Sequence, residues 1–219
     1  MTYQNLIFDL DGTLVDSLPG IHSSMQVAID QVLPGEVMPE MRQVVGPPLL
    51  QMFQKMWPEL SQEGLGKLVK AFREDYDLRG YLKSERYPHV VEVLSALKHA
   101  GHHLYLLTNK PKVPTELILR HLELDHFFID QISPDSLTPA FTEKTEGLRH
   151  LVIHYRMDLG QSVMIGDSSD DALAAKEVGI EFIAAEYGYG AVLKKREFSG
   201  ASKIQNIMQL VDQVCWLPH

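Results

Sequence analysis

Five short apolar runs limit the fold of this chain more than any other feature. None shows the apolar–polar alternation of a strand with one face in water, so each is typical of a strand buried on both faces. The runs cover residues 6–8, 103–109, 126–132, 162–167 and 181–187.

Helical patterns separate these runs. Leu148, Leu151 and Tyr155 recur at helix spacing before the fourth run, and residues 172–178 continue as a helix after it. Alternating strands and helices predict an α/β fold, with a Rossmann-like open parallel sheet core and helices on both faces. In such folds the chemistry lies beyond the carboxyl ends of the strands.

The stretch from residue 15 to residue 87 departs from this rhythm. It holds amphipathic helical patterns around Met25 and Leu68 and a break at Gly46, where two prolines follow, but no strand pattern. We therefore predict an inserted α-helical cap domain over residues 15–87. The core would comprise residues 1–14 and 88–219, with Pro88 starting the next helix.

The charge balance argues against two classes of partner. The chain has 20 basic and 29 acidic residues, a formal net charge of −9. This balance disfavours non-specific binding to nucleic acid or to an anionic membrane. A small anionic substrate stays open if a local cation attracts it.

The composition also bears on the compartment. One cysteine, Cys215, allows no internal disulfide and fits a reducing environment. The chain shows no signal-peptide pattern, and no run approaches the ~18 apolar residues of a membrane span. We expect a cytoplasmic protein that is a monomer or a homodimer.

Polar residues follow three of the predicted strands at the ends that should converge. They are Asp9 and Asp11 after the first, Thr108, Asn109 and Lys110 after the second, and Asp167 and Asp171 after the fourth. Hard oxygen ligands suit Mg²⁺, whose charge would keep Asp9 ionised. The sequence therefore predicts a Mg²⁺ site at this sheet edge.

These residues carry a family resemblance. The stretches DLDGTLVDS, LLTNK and IGDSSDD, with a lysine at position 144, resemble the four ordered motifs of the haloacid dehalogenase superfamily of phosphohydrolases. The stretches FDLDGTLVDSLPGI and VVGPPL most resemble its phosphoglycolate phosphatase group. The resemblance implies a Mg²⁺-dependent phosphatase that acts on a small phosphorylated metabolite through an aspartyl phosphate.

The resemblance also implies roles for particular residues. Asp9 would attack phosphorus, and Asp11 would protonate the leaving alcohol and then activate water. Dehalogenases lack an acid at the position of Asp11, so its presence favours phosphoryl transfer. The metal ligands would be the carboxylates of Asp9 and Asp167 and the backbone carbonyl of Asp11, with Asp171 helping to hold the site. The phosphoryl oxygens would contact Thr108, Asn109 and Lys144.

Several alternatives stay open. Thr145 follows Lys144 where relatives commonly have proline, so Lys110 is a rival for the phosphate-binding lysine. Besides phosphoglycolate, the substrate could be pyrophosphate or a nucleoside monophosphate. Two alternative functions also stay open: a sugar-phosphate mutase, and a regulatory binding protein built on an inactive hydrolase scaffold.

Three weaker expectations concern the cap. We expect Asp16 and Ser17 to cap its first helix rather than to take part in the reaction. Arg42 and the turn at Gly46 are candidates for a substrate-facing surface, although a surface arginine and a helix break are the simpler interpretation.

Overall fold

The computed structural model describes residues 3–38, 49–190 and 200–214. Its elements, in chain order, are β1 (Asn5–Phe8), β2 (Val15–Asp16), α1 (Leu18–Val32), α2 (Leu49–Met56), α3 (Gln62–Tyr76), β3 (Glu85–Arg86), α4 (Val90–His99), β4 (His103–Leu107), α5 (Lys112–His121), β5 (Asp130–Ile132), α6 (Lys144–His154), β6 (Ser162–Gly166), α7 (Ser169–Val178), β7 (Glu181–Ala185), β8 (Ser202–Ile204) and α8 (Gln209–Val214).

Six parallel strands form the central sheet, in the order β5–β4–β1–β6–β7–β8. Successive side chains of a strand face opposite layers of helices. Leu6 and Phe8 pack with apolar residues of α4, α5 and α8, whereas Ile7 packs with residues of α6 and α7. The predicted Rossmann-like open sheet with helices on both faces is confirmed.

Two parts of the strand prediction are wrong. Residues Asp125–Phe127 form a 3₁₀ turn, and within the predicted run 126–132 only residues Asp130–Ile132 form a strand, β5, which pairs with β4. Phe127 and Phe128 are buried, so the first half of that apolar run reflects core packing rather than strand pairing. Strand β8 was not predicted, because three residues with one buried side chain carry no strand pattern.

The insertion between β1 and α4 holds helices α1, α2 and α3 and a 3₁₀ turn at Gly80–Lys83. Helices α1 and α3 pack along each other. Their buried residues Met25, Ile29, Leu68 and Phe72 form one continuous apolar cluster with the side of the sheet that Phe8 faces. The predicted helical cap is therefore present and is joined to the core by apolar packing.

A short antiparallel ribbon lies where the insertion begins and ends. In it β2 pairs with β3, Val15 opposite Arg86 and Asp16 opposite Glu85. The prediction that no strand occurs over residues 15–87 is therefore wrong at both ends, because two-residue strands show no period. The ribbon places the entry and exit of the insertion side by side. It supports our proposed division into a core of 1–14 and 88–219 and a cap of 15–87.

Pro88 does not start the next helix as predicted. Val90 begins α4, and His89 precedes it in the left-handed region at φ 66°. The Val90 N–H donates to the Tyr87 carbonyl at 3.3 Å, so Pro88 lies in the turn that leaves the ribbon.

Arg42 and the turn at Gly46 lie outside the described residues. Among the helices that the structure does describe, none is both long and apolar enough to cross a bilayer.

The contact between α1 and the 3₁₀ turn generates a stability prediction. A Cβ on Gly20 would lie 2.2 Å from the backbone oxygen of Gly80, so Gly20→Ala should lower the free energy of unfolding by about 1–3 kcal/mol. Gly66→Ala is the matched control, because a Cβ at this position of α3 meets nothing within 4 Å. The control should gain roughly 0.5–1 kcal/mol. Urea denaturation measures both, and equal effects would contradict the close contact.

Candidate active site

The register of the sheet brings the two acidic motifs together. Phe8 of β1 lies opposite Ile165 of β6, and the Asp9 N–H donates to the Ile165 carbonyl at 2.9 Å. Asp9 and Asp167 therefore leave neighbouring strands at the same edge, as the sequence predicted. Both side chains are buried.

Asp171 joins them from the first turn of α7. A capping box fixes its carboxylate: Asp171 Oδ2 accepts hydrogen bonds from the Ser168 N–H at 2.9 Å and the Ser168 hydroxyl at 2.6 Å. Carboxylate oxygens of Asp9, Asp167 and Asp171 lie within 4.8 Å of one another. We call these three residues the acidic cluster.

Lys144 places one cation in the acidic cluster. It is the first residue of α6, and its buried Nζ lies 2.6 Å from Asp9 Oδ1 and 2.6 Å from Asp171 Oδ1. A buried charge needs such partners, because an unpaired one would cost several kcal/mol. Lys144 balances one of the three carboxylates and leaves an excess of negative charge.

The surroundings shift the protonation of these groups. Burial raises the pKa of the Asp9 carboxyl well above its usual range; Lys144 opposes this shift, and Asp171 and Asp167 add to it. Burial, followed by the negative charge of Asp171, raises the pKa of Asp167 to about 7. Hydrogen bonds from the backbone N–H groups of Gly190 and Tyr189 act in the opposite direction and lower this pKa. Burial alone would lower the pKa of Lys144, but Asp171 and Asp9 outweigh it and raise the pKa.

The acidic cluster fits a hard divalent cation. Carboxylate oxygens are the ligands that Mg²⁺ prefers, and these are close together, buried and only partly neutralised. Among the residues that the structure describes, no other group of three or more His, Cys, Asp or Glu side chains converges in this way.

The side chain of Asp11 lies apart from the acidic cluster. Its Oδ1 accepts a hydrogen bond from the Ser17 hydroxyl at 2.5 Å, and its Oδ2 lies 3.1 Å from Lys110 Nζ. Ser17 occupies the N-cap position of α1 as expected, but its side chain does not cap the helix, because its hydroxyl bonds to this carboxylate. Asp16 does cap the helix, since its Oδ1 accepts the Leu18 N–H at 3.1 Å.

The residues after β4 reach the same edge. Thr108 is buried, and its hydroxyl accepts the Lys110 N–H at 3.1 Å. Asn109 Nδ2 donates to Asp170 Oδ2 at 3.3 Å. Thr108 and Asn109 both line a cavity that also exposes Asp9, Asp11 and Lys144.

A loop that sequence reasoning missed closes over the acidic cluster. Asp167 Oδ2 accepts the N–H groups of Tyr189 at 2.6 Å and Gly190 at 2.9 Å. The Tyr189 hydroxyl donates to Asp16 Oδ1 at 2.7 Å and accepts the Ser17 N–H at 2.6 Å. A Cβ on Gly190 would lie 1.9 Å from the Asp167 backbone oxygen. The alternating glycines and tyrosines of residues 187–190 were the available signal.

The cavity has a volume of about 520 Å³ and lies between the sheet edge and the cap. Its cap side is mostly apolar, with Ile21, Met52, Val69 and Phe72 beside the charged Arg73. The cavity therefore has carboxylate and ammonium groups at the sheet edge and mostly apolar side chains on the cap side.

Comparison with known proteins agrees with this geometry. The family model described as haloacid dehalogenase-like hydrolase matches residues 6–185. The chain belongs to the haloacid dehalogenase-like hydrolase family, and the resemblance read from its motifs is confirmed.

Relatives and solved structures extend the match. The chain is 33% identical over 192 residues to a 5′-nucleotidase of Pseudomonas aeruginosa, covering 87% of this chain and 86% of that protein. It is 33% identical over 204 residues to a phosphoglycolate phosphatase of Vibrio vulnificus, covering 86% and 87%. The structure of a predicted phosphatase from Clostridium acetobutylicum superposes with a TM-score of 0.87 at 26% identity, covering 99% and 100%. The predicted enzyme class, a phosphatase, is confirmed.

The pKa of Asp167 generates a prediction for the metal-free protein. Asp167 binds its proton more tightly in the folded chain, where its pKa is about 7, than at the ordinary value of 3.8. The free energy of unfolding should therefore fall as the pH rises through this window, by at most ~1.4 kcal/mol per pH unit for this group.

Urea denaturation in EDTA, at several pH values between these limits, measures the slope. Asp9 acts in the same direction, so Asp167→Asn should flatten the fall without abolishing it. An equal slope in the wild-type protein and the variant would contradict the assignment.

Proposed function

We propose that this protein is a Mg²⁺-dependent phosphatase that hydrolyses a small phosphorylated metabolite through an aspartyl phosphate on Asp9. The observation that carries the proposal is that two carboxylates, only two residues apart in the chain, lie in different surroundings. Asp9 lies in the acidic cluster with Lys144, whereas Asp11 is held outside it by Ser17 and Lys110, beside the cavity.

The two carboxylates then divide the reaction. An oxygen of Asp9 bonds to phosphorus while the bond from phosphorus to the leaving oxygen breaks, and Asp11, which carries a proton when the substrate is bound, gives that proton to the leaving oxygen. In the second half, Asp11 takes a proton from a water whose oxygen bonds to phosphorus, and the bond to Asp9 breaks. The products are an alcohol and phosphate, and both carboxyls regain their starting states.

The remaining residues have binding roles in this proposal. Bound Mg²⁺ would offset the negative charge of the phosphoryl group and of the acidic cluster. Its ligands would be the carboxylates of Asp9 and Asp167 and the backbone carbonyl of Asp11, with Asp171 holding the site. Thr108, Asn109 and Lys144 would contact the phosphoryl oxygens.

The choice between the two lysines follows from their contacts. Lys144 Nζ touches the proposed nucleophile Asp9, whereas Lys110 Nζ touches Asp11. A phosphoryl group on Asp9 would therefore meet Lys144 first. These contacts support Lys144 over Lys110 as the phosphate-binding lysine.

Two substrate classes have separate support. A phosphoglycolate phosphatase is among the relatives, and phosphoglycolate stays our first substrate candidate. The 5′-nucleotidase relative and an apolar cavity of about 520 Å³, large enough for a drug-sized ligand, favour a nucleoside monophosphate as the second. The cytoplasmic location and the monomeric or homodimeric state stay predictions.

Phosphate release from p-nitrophenyl phosphate tests the reaction. Activity should require Mg²⁺, stop with EDTA, and fall to background in Asp9→Asn, because an amide oxygen is a poor nucleophile. Asp11→Asn should lose roughly 10²–10⁴-fold. Asp30→Asn is the matched control, since this exposed residue of α1 bonds only to Gln26 in the described contacts. Turnover without a divalent metal would refute the proposal.

A substrate panel distinguishes the remaining functions. Phosphoglycolate, nucleoside monophosphates, pyrophosphate and hexose phosphates are each assayed for free phosphate and, for the sugars, for isomers. We expect free phosphate, with the highest kcat/KM for phosphoglycolate or a nucleoside monophosphate. Isomer without free phosphate would indicate a mutase, and Mg²⁺ binding without turnover of any phosphate ester would indicate a binding protein.

A further inference from the structure

Lys110 has an environment that phosphate binding does not explain. Its Nζ lies 3.1 Å from Asp11 Oδ2 and 3.2 Å from the Tyr76 hydroxyl, and 4.8 Å from the centre of the Tyr76 ring. The lysine side chain is only 9% exposed. A buried ammonium with these partners has a defined position, because leaving it would cost hydrogen bonds and a charge pair.

Tyr76 gives this ammonium a connection to the cap. It is the last residue of α3, is 2% exposed, and stacks on Phe72 with 5.1 Å between the ring centres. Lys110 follows β4 in the core. Its side chain therefore bridges a cap helix and a carboxylate of the core.

The position of Asp11 requires an explanation of this kind. Asp9, two residues earlier in the chain, belongs to the acidic cluster, and a divalent cation bound there would attract any further carboxylate nearby. A carboxylate drawn to the metal could not exchange protons with a leaving group. Lys110 and Ser17 each bind one oxygen of Asp11, and together they hold it on the cavity side.

We propose that Lys110 is a positioning residue for Asp11, and that it couples this acid–base group to the cap through Tyr76. The inference rests on the proposed phosphatase reaction and deepens it. Lys110 contributes to proton transfer without contacting phosphorus. Removing it should harm most the substrates whose leaving groups need a proton most.

Two aryl phosphates separate this effect from a general loss of activity. The p-nitrophenolate group leaves readily without a proton, whereas phenolate, with a pKa near the ~10 of tyrosine, benefits from one. Lys110→Met should lower kcat/KM by about 10²-fold for phenyl phosphate but only by about tenfold for p-nitrophenyl phosphate. Asp11→Asn should show the same preference for the ester with the better leaving group.

Lys112→Met is the matched control. This exposed lysine, two residues along the chain, lies 3.9 Å from Glu116 and should leave both kcat/KM values at the wild-type level. An equal loss on both esters in Lys110→Met, or no loss, would overturn the inference and leave the phosphatase proposal standing. A wild-type enzyme that hydrolyses neither ester would instead overturn the proposed reaction and the inference together.

Tyr76→Phe tests the connection to the cap, and it also serves if Lys110→Met fails to fold. It removes the hydroxyl that bonds Lys110 Nζ and retains the ring. We expect the same preferential loss on phenyl phosphate, but smaller, because the pair with Asp11 persists. An unchanged ratio of kcat/KM between the two esters would overturn the coupling through Tyr76.

Discussion

Crowding of negative charge at one sheet edge is the constraint on which the rest of this structure depends. Three buried carboxylates share a space of a few ångströms, and a single ammonium, that of Lys144, balances the charge of only one of them. Folding tolerates this arrangement because fixed backbone N–H groups and a capping box also bind the oxygens. The result is a site whose remaining charge favours a cation, and whose geometry is fixed before any ligand arrives.

This crowding also explains why the side chain of Asp11 has its own set of partners, apart from those of Asp9. A chain that places two aspartates two residues apart must hold their side chains in different surroundings if they are to have different tasks. Here the ammonium of Lys144 lies against Asp9, while the ammonium of Lys110 and the hydroxyl of Ser17 lie against Asp11. The site thus keeps two carboxylate environments within one loop.

Much of this could be predicted from the sequence, because strand ends in a parallel sheet converge and the motif residues come directly after strands. Asp9 and Asp167 meet for that reason, and Asp171 follows in the first turn of α7, whereas Lys144 begins α6 and was predicted only from the family resemblance. Ser17 occupies the predicted N-cap position, but its hydroxyl bonds to Asp11 rather than to the helix, because the loop between β1 and α1 brings that carboxylate within reach. The contacts of Tyr189 with Asp16 and Ser17 span more than 170 residues, and no periodicity encodes such a distance. The strands of two or three residues were not predicted, because they are too short to show a repeating apolar–polar pattern.

The ribbon of β2 and β3 has a further consequence, for evolution rather than for catalysis. Because it pairs the two chain crossings between core and cap, the inserted segment begins and ends at nearly the same point in space. An insertion with adjacent ends can be lengthened, shortened or exchanged without moving β1 or the acidic cluster. The acidic cluster and the apolar cap side of the cavity can therefore change at different rates, because the sheet holds one and a replaceable segment carries the other.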